Sequence, residues 1–312
     1  MYRGQRIYLV IPCYNVAPQL PALLASVPDS VDGIVAVDDG SRDDTAAVLA
    51  ACADPRLVTV RHERNRGVGA AMRTGFQRAA ELGGDLLVKV DGDGQMDLRD
   101  LPALLDPLTA DDRYGYAKGN RLVHVAGLKD MPRNRRVGNF ALTFLMKLAS
   151  GYWHVVDPQN GFIAIRRSVW ELLDPARISD GYFFENDMLI NLNILDVRVK
   201  DVPLPARYGS ERSNLRIHRV LPAFTGLLLR RLWYRFYTKY ILRDFSPIAL
   251  FGLVGSVLLV WAIGFGGWNW YDHAQRGIVT PTGTVMLAVL PLLIGFELVL
   301  QALVLDIQNS PR

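Results

Sequence analysis

Two long apolar segments near the end of the sequence place the strongest constraint on the fold. Residues 247–268 carry no charged side chain, and residues 283–305 carry one, Glu297. A helix of about 20 apolar residues crosses the hydrocarbon core of a bilayer, where backbone polar groups find no water and must be paired internally. The two segments, joined by the polar residues 269–282, therefore predict a transmembrane hairpin.

The charges around this hairpin predict its orientation. Basic residues are frequent before residue 245, whereas the connecting segment contains only Arg276. By the positive-inside rule, residue 245 and the C-terminal tail are expected in the cytoplasm. The N-terminal run "IYLVIPCYN" is short and is broken by Pro12, unlike a signal peptide, so the N-terminus is expected there as well.

Glu297 has two interpretations. An ionisable side chain within a membrane span is by default a candidate for function, because its burial in lipid is costly. The alternative is a protonated or paired side chain at a contact between helices.

Residues 216–245 predict an amphipathic helix that precedes the hairpin. Arg231, Arg235, Lys239 and Arg243 are spaced by four, so a helix would gather them into one basic stripe. Such a helix is typical of a membrane surface, where it meets anionic headgroups. The alternative is a helix packed on the preceding domain with its basic face in water.

The first part of the chain alternates strand and helix patterns. Strands are predicted from "RIYLVIP", "GIVAVDDGS", "RLVTVRHE" and "DLLVKVD", with helical patterns between them. This alternation indicates an α/β fold with a mainly parallel sheet covered by helices. The strands are followed by "PCYN", "DDGS", "HERNRG" and "DGDGQ". Ligands bind at the carboxyl ends of such strands, so these four clusters are expected to form one site.

Composition excludes some classes of protein. The formal net charge is only +4 and the basic residues are localised, so nucleic acid is not an expected partner. Two cysteines, without a CxxC pair, indicate a reducing compartment rather than a disulfide framework. The sequence contains neither a P-loop motif nor a GxGxxG after the first strand.

Oxygen ligands accumulate after the fourth predicted strand. Asp91, Asp93 and Gln95 alternate along "DGDGQMD", a pattern that suits Mg²⁺ or Mn²⁺. An EF-hand is excluded, because Met96 and Pro102 occupy the positions that would need glycine and glutamate. A magnesium site with so few protein ligands usually completes its shell with phosphate oxygens and water, which implies a nucleotide.

Several motifs together resemble a known family. "IPCYN", "VAVDDGSRDDT", "NRGVGAAMRTG" and "DGDGQMD" occur in the order seen in family 2 glycosyltransferases of the GT-A fold. "KGNRLVH", "MPRNRRVGN", "DPQNGFIAIRR" and "YFFEND" resemble the branch that glycosylates polyprenyl phosphates, which includes dolichyl-phosphate mannose synthase. The resemblance covers essentially the whole chain and extends to the membrane tail.

The resemblance implies roles on the donor side. Asp93 and Gln95 would hold the metal, Asp91 the ribose, and Asp38 with Asp39 the base and ribose. Asp157 and Asn160 would line the donor or acceptor pocket, although a plain turn is the alternative. The remaining residues expected to bind substrate on this side are Pro12, Tyr14, Asn15, Asn65 and Gly67.

The acceptor side is expected to be basic. Arginine forks bind phosphate oxygens, and the resemblance implies that two arginines hold the lipid phosphate and the donor diphosphate. Arg121 and Arg136 are the candidates, with Arg135 competing for the second role, and a plain surface charge run is the alternative. Residues 207–215 are expected to form a loop that closes over the site.

The acceptor decides whether a general base is needed. Glu185 and Asp187 resemble the acidic motif that carries the base in many family 2 enzymes. A hydroxyl acceptor needs such a base. A phosphate monoester, whose second pKa is about 6, is already largely a dianion at neutral pH, so these acids would then only orient groups.

The sequence therefore predicts an inverting, metal-dependent glycosyltransferase that moves a sugar from a nucleotide donor to polyprenyl phosphate, as in the synthesis of cell-envelope glycans. The expected regions are a GT-A domain at 1–215, the amphipathic helix at 216–245 and the hairpin with a short tail at 246–312. One alternative glycosylates a hydroxyl of a glycolipid or polysaccharide. Another is a non-catalytic, membrane-tethered protein that binds nucleotide sugars or partners.

The expected partners follow from this interpretation. The donor is expected to be a UDP-sugar rather than a GDP-sugar, and the acceptor undecaprenyl or dolichyl phosphate. The protein is expected in the inner or plasma membrane, with its catalytic domain in the cytoplasm. A homo-oligomer is implied by the resemblance alone.

Overall fold

The structure, a computed structural model, describes residues 1–121, 133–158, 160–205 and 217–312, and gives only the backbone of 133–141 and 217–223. It confirms the predicted α/β fold. Seven strands form one sheet in the order β3-β2-β1-β4-β6-β5-β7. The strands are β1 Ile7–Cys13, β2 Gly33–Asp38, β3 Leu57–Arg61, β4 Leu86–Lys89, β5 Tyr114–Asn120, β6 Ile163–Arg166 and β7 Arg198–Pro203.

Ten α-helices accompany the sheet in the described part of the chain. Strand β1 alternates its side chains between two cores, with Ile7, Leu9 and Ile11 on one face of the sheet and Val10 on the other. The helices are α1 Leu20–Ala25, α2 Thr45–Ala51, α3 Val68–Glu81, α4 Leu101–Ala110, α5 Arg133–Ser150, α6 Arg167–Trp170, α7 Phe184–Ile194, α8 Ile217–Arg235, α9 Pro247–Arg276 and α10 Thr282–Gln308.

One strand of the sheet is reversed. Strands β1, β2, β3 and β4 pair in parallel, and β7 pairs in parallel with β5. Strand β6 runs antiparallel to both of its neighbours, β4 and β5. The residues that enter β6 therefore lie at the same edge of the sheet as the residues that leave β1, β2, β4 and β5.

The chain divides into two compact units. The first comprises residues 1–231 with 311–312, and the second comprises residues 232–310. The second unit begins inside the segment predicted as an amphipathic helix. The domain boundaries predicted at 215 and 245 stay predictions.

Helices α9 and α10 are both long and apolar enough to cross a membrane. The first helix is longer than expected, because it continues through the predicted polar connection to Arg276. An ion pair between Asp272 and Arg276, with 3.0 Å between the charged atoms, supports these added turns. The helix ends at Gly277, whose φ of 63° is the left-handed conformation that glycine favours.

The predicted basic stripe is not a surface stripe. Within the first unit, Arg231 forms an ion pair with the buried Asp187. Within the second unit, Arg235 and Lys239 are buried, and both Arg235 amino groups bond to Asp306 at 2.8 and 3.0 Å. The expectation that these residues face lipid headgroups was wrong for Arg231 and Arg235, which bind carboxylates of the protein itself, and for the buried Lys239, whereas Arg243 is exposed.

Several of the exposed side chains in this segment are large and apolar. Beyond α8 the chain continues as a π-helix at Phe236–Arg243. Leu229, Trp233, Tyr237 and Leu242 are exposed along the segment. Glu297 is also exposed on α10 and accepts a hydrogen bond of 2.9 Å from Gln301 one turn later. Its predicted role stays a prediction.

Two glycines allow the membrane hairpin to close. A Cβ atom on Gly255 would lie 2.9 Å from the carbonyl oxygen of Gly295, and a Cβ on Gly295 would lie 2.9 Å from that of Gly255. Small residues at such a crossing let two membrane helices approach closely. A Cβ on Gly264, by contrast, would meet no atom within 4 Å.

Gly255→Val is therefore expected to destabilise the hairpin, and Gly264→Val is the matched control. Forcing side-chain atoms into a close contact costs about 1–3 kcal/mol, so the melting temperature should fall by several degrees. Thermal melting of the detergent-purified protein measures this. Equal melting temperatures for the two variants would contradict the packing described here.

Candidate active site

Polar segments from several strands meet at the carboxyl edge of the parallel strands, as the sequence predicts. The loops after β1 and β2 are tied together there. The backbone amide of Asn15 donates to Ser41 Oγ at 3.1 Å, and Asn15 Oδ1 accepts from the amide of Arg42 at 2.9 Å. Asn15 has a φ of 54°, so its backbone is left-handed at this junction. Pro12 lies in β1, one residue before the strand ends at Cys13, and Tyr14 is exposed.

Asp38 and Asp39 are both buried and both bind the protein itself. Asp38 Oδ1 accepts from the amide of Ser41 at 2.9 Å, and its Oδ2 lies 3.2 Å from Arg61 Nε. Asp39 accepts from His62 Nδ1 at 2.6 Å and from the amide of Gly67 at 2.7 Å. The pair thus shapes the loops after β2 and β3, and its predicted contact with base and ribose stays a prediction.

The glycines at the start of α3, Gly67 and Gly69, allow close contacts within the chain. Asn65 is exposed in the loop after β3. A Cβ on Gly67 would lie 2.5 Å from the carbonyl oxygen of Asp180, and one on Gly69 would lie 2.0 Å from that of Ser179. The close approach that these glycines allow is therefore an approach to residues 179–180. It requires no ligand.

The acidic cluster after β4 separates into different roles. Asp91 Oδ1 accepts from Lys89 Nζ at 2.5 Å. Asp97 accepts from the Arg99 amide at 2.9 Å and forms an ion pair with the Arg99 side chain at 2.7 Å, so it caps the short 3-10 helix that follows. Asp93 Oδ1 accepts from the amide of Gln95 at 3.0 Å. The repulsion that this run implies is thus partly relieved by two cations of the chain.

Asp93 and Gln95 fit a divalent cation by the chemistry of their donor atoms. Both can offer hard oxygen ligands from one surface loop at the site edge, and Gln95 is exposed. Among the described residues, no group of three or more His, Cys, Asp and Glu side chains is placed to hold a metal. A cation here would therefore depend on oxygens from substrate and water.

Lys89 is a buried cation that the sequence analysis did not single out. It lies in β4, and its Nζ is 2.5 Å from Asp91 Oδ1, 3.3 Å from the carbonyl oxygen of Gly161 and 3.5 Å from Glu185 Oε1. The sequence does carry a signal, because a lysine interrupts the apolar run "DLLVKVD" of a buried strand.

Three cations bind the turn at 157–161, of which residues 157, 158, 160 and 161 are described and which leads into β6. Arg121 Nε lies 3.2 Å from Asp157 Oδ2, Lys118 Nζ donates to the carbonyl of Asn160, and Lys89 Nζ donates to that of Gly161. Asp157 and Asn160, predicted from sequence, are buried in this turn. Arg121 is 45% exposed at its side chain, so it can still reach an anion.

Glu185 and Asp187 lie in different surroundings on the first turn of α7. Glu185 is directed at Lys89. Asp187 is fully buried, accepts from the amide of Ser179 at 2.9 Å and from its hydroxyl, and lies 2.7 Å from Arg231 Nε. The structure thus brings Glu185 next to Asp91 and the 157–161 turn, and separates Asp187 from them.

The remaining predicted arginines cannot be placed. The side chains of Arg133, Arg135 and Arg136 lie outside the described residues, as does the loop at 207–215. Their predicted roles stay predictions.

The net shift in pKa differs among the buried ionisable groups. For Lys89, burial alone lowers the pKa, but the charges of Asp91 and Glu185 outweigh burial, so the pKa is raised. For Lys118, burial prevails and lowers the pKa to about 8. For Asp187, burial raises the pKa against the hydrogen bonds of Ser179 and the charge of Arg231. Lys89 therefore stays charged across the physiological pH range.

The chain is similar in sequence to several known proteins. Residues 8–173 match the family model described as glycosyl transferase family 2. A UDP-N-acetylglucosamine–dolichyl-phosphate N-acetylglucosaminyltransferase of Methanococcus voltae is 30% identical, covering 70% of this chain and 92% of that protein. A polyprenol monophosphomannose synthase of Mycolicibacterium smegmatis is 34% identical, covering 59% of this chain and 71% of that protein.

A solved structure shares the fold. It is the glucosyl-3-phosphoglycerate synthase of Mycobacterium tuberculosis in complex with Mn²⁺, UDP-glucose and phosphoglyceric acid. The TM-score is 0.54 at 25% sequence identity, covering 74% of this chain and 80% of that chain. The predicted GT-A-like fold is confirmed.

The depressed pKa of Lys118 predicts how stability depends on pH. An unfolded lysine has a pKa of about 10.4, so between about pH 8 and 10 the unfolded chain binds more protons than the folded protein. The contribution of Lys118 to folding stability should therefore rise with pH in this window by an amount on the order of 2 kcal/mol, so the stability of the wild type relative to Lys118→Met should rise by that amount. Thermal melting of both proteins at about pH 7 and about pH 10 tests this. A stability difference that does not change with pH would contradict it.

Proposed function

The chain belongs to glycosyl transferase family 2, and from that premise we propose that it transfers a sugar, with inversion, from a nucleotide-sugar donor to a polyprenyl phosphate. The glycosyltransferase activity itself follows from the family model and from relatives that glycosylate lipid phosphates. The acceptor, the stereochemistry and the donor nucleotide are proposals.

One observation carries the choice of acceptor: both acids of the "YFFEND" motif are engaged by cations of the protein. Glu185 faces the ammonium of Lys89, and Asp187 is buried against Arg231. A hydroxyl acceptor requires a carboxylate that is free to remove its proton. A phosphate monoester has no such proton to lose in its dianionic form, so it can attack the anomeric carbon directly. The arrangement of the acids favours the phosphate.

The residues of the chain then serve to bind and orient two anionic substrates. Arg121, half exposed beside the 157–161 turn, would bind phosphate oxygens. Asp91, held by Lys89, would contact the donor ribose. We propose Asp93 and Gln95 as the ligands of Mg²⁺ or Mn²⁺, which when bound would neutralise the diphosphate leaving group. Orientation and charge neutralisation would supply most of the rate.

We further propose a UDP-sugar as the donor and the cytoplasmic face of the membrane as the location. The relative from Methanococcus voltae is named for a UDP-sugar, and the solved neighbour contains UDP-glucose. Helices α9 and α10 are suited to anchor the protein, and the exposed Trp233, Tyr237 and Leu242 are suited to the membrane interface. The homo-oligomer remains a prediction.

The acceptor is tested with the detergent-purified full chain, Mg²⁺ or Mn²⁺, labelled UDP- and GDP-sugars, and undecaprenyl phosphate. We expect an extractable lipid-linked sugar that mild acid releases. Glu185→Gln should lower kcat by less than about tenfold, whereas loss of a general base typically costs about 10²–10⁴-fold. Donor hydrolysis without a lipid product, together with a large Glu185→Gln effect, would instead assign a hydroxyl acceptor.

The metal is tested with Asp93→Asn, using Asp97→Asn as the control from the same loop. Asp97 already pairs with Arg99, so its substitution should change turnover by less than about threefold. Asp93→Asn should lower metal-dependent turnover by about 100-fold or more and weaken Mn²⁺ binding, which electron paramagnetic resonance measures. Unchanged Mn²⁺ affinity and turnover in Asp93→Asn would exclude Asp93 as a ligand.

A further inference from the structure

Lys89 brings together three parts of the site that are distant in sequence. Its ammonium contacts Asp91 at the end of β4, Glu185 at the start of α7 and the carbonyl of Gly161 before β6. Two of its three protons are donated to Asp91 and Gly161, and Glu185 lies at ion-pair distance. The side chain is 2% exposed, so these groups rather than bulk water surround the charge.

Because this charge is buried, its partners must lie at well-defined positions around it. Removing an ammonium from water costs several kcal/mol, and only well-placed opposite charges and hydrogen bonds offset that cost. Asp91 and Glu185 do so here, since they raise the pKa of Lys89 despite its burial. Each carboxylate is thereby held at a fixed distance from the same nitrogen atom.

The space around the ammonium is also strictly limited. A Cβ on Gly161 would lie 2.3 Å from Lys89 Nζ and 2.5 Å from Asp91 Oδ2. Only a glycine at this position leaves room for the lysine, the carboxylate and the turn to meet. The turn at 157–161 thus closes directly onto the ion pair.

We propose that Lys89 is a positioning residue that couples the donor side of the site to the acceptor side, by holding Asp91, Glu185 and the 157–161 turn around one buried positive charge. The proposal rests on the proposed function for its assignment of sides. It adds that the site offsets half of the negative charge of Asp91 and Glu185 internally. An anionic donor and an anionic acceptor then meet a net charge of −1 from this cluster rather than −2.

The consequence for ligand binding follows from Coulomb's law. Without Lys89, Asp91 and Glu185 would add two negative charges next to a diphosphate and a lipid phosphate. In a partly buried site, the repulsion between like charges a few ångströms apart is strong enough to weaken ligand binding by orders of magnitude. A substitution that also removes the charge of Glu185 should restore part of the binding.

The experiment compares Lys89→Met, Lys89→Arg, Lys89→Met/Glu185→Gln and the control Lys118→Met in the full chain. Lys118 is an apt control because it is equally buried, is registered with the same residue of β6, Ile163, and also binds a carbonyl of the turn. Within the described part of the chain, no carboxylate forms an ion pair with Lys118. The readouts are the Kd for UDP and GDP with Mn²⁺, kcat and KM for lipid transfer, and the melting temperature.

We expect Lys89→Met to raise the nucleotide Kd and to lower kcat, each by about tenfold or more, and each by more than Lys118→Met, which loses one bond to the turn but leaves Lys89 paired with Asp91 and Glu185. Lys89→Arg keeps the charge and should recover part of the loss. The double variant should bind nucleotide more tightly than Lys89→Met, because one uncompensated charge is gone. A role that is only structural would lower the melting temperature and leave Kd, kcat and KM of the folded fraction unchanged.

Two outcomes would overturn the proposal. The first is a Kd and a kcat for Lys89→Met within about twofold of the wild type. The second is equal losses in Lys89→Met and Lys118→Met, without rescue by Glu185→Gln. Nucleotide binding keeps this test separate from the proposed function. A wild type that binds UDP or GDP but forms no lipid-linked sugar would refute the acceptor, and the Kd comparison would still decide the role of Lys89.

Discussion

The reversed strand β6 is the constraint on which the site depends. In an all-parallel sheet, the residues before a strand lie at the opposite edge from the residues that follow its neighbours. Because β6 runs against β4 and β5, the turn at 157–161 comes to the same edge as Asp91 and Arg121. Lys89 and Lys118, both in register with Ile163, then hold this turn from its two sides.

Acids that look alike in sequence have different interaction partners within the first unit. Asp91, Asp97, Glu185 and Asp187 each have a cationic partner, respectively Lys89, Arg99, Lys89 and Arg231. A carboxylate with such a partner shapes the protein and is less suited to take up a proton or a metal. Asp93 accepts a hydrogen bond from the amide of Gln95, and its role as a metal ligand is a proposal.

Sequence patterns predicted the sheet and its polar edge, because apolar runs and strand ends are local features. The first four strands, the helices between them and the two apolar helices appear as expected. The patterns did not reveal Lys89 or Lys118 as parts of the site, since each acts through partners more than 40 residues away, Asn160 and Gly161. The predicted basic stripe failed at Arg231 and Arg235 for the same reason. Helical spacing could not show that their carboxylate partners, Asp187 and Asp306, lie far along the chain.

The pair between Arg235 and Asp306 joins residues 71 positions apart within the second unit. Asp306 lies in the last turns of α10, so the guanidinium of Arg235 gains its carboxylate only after both apolar helices have been synthesised. Until then a charge destined for burial remains exposed, and burial without its partner would be strongly unfavourable. The segment before the hairpin can therefore reach its final packing only after the chain has been synthesised as far as the end of α10.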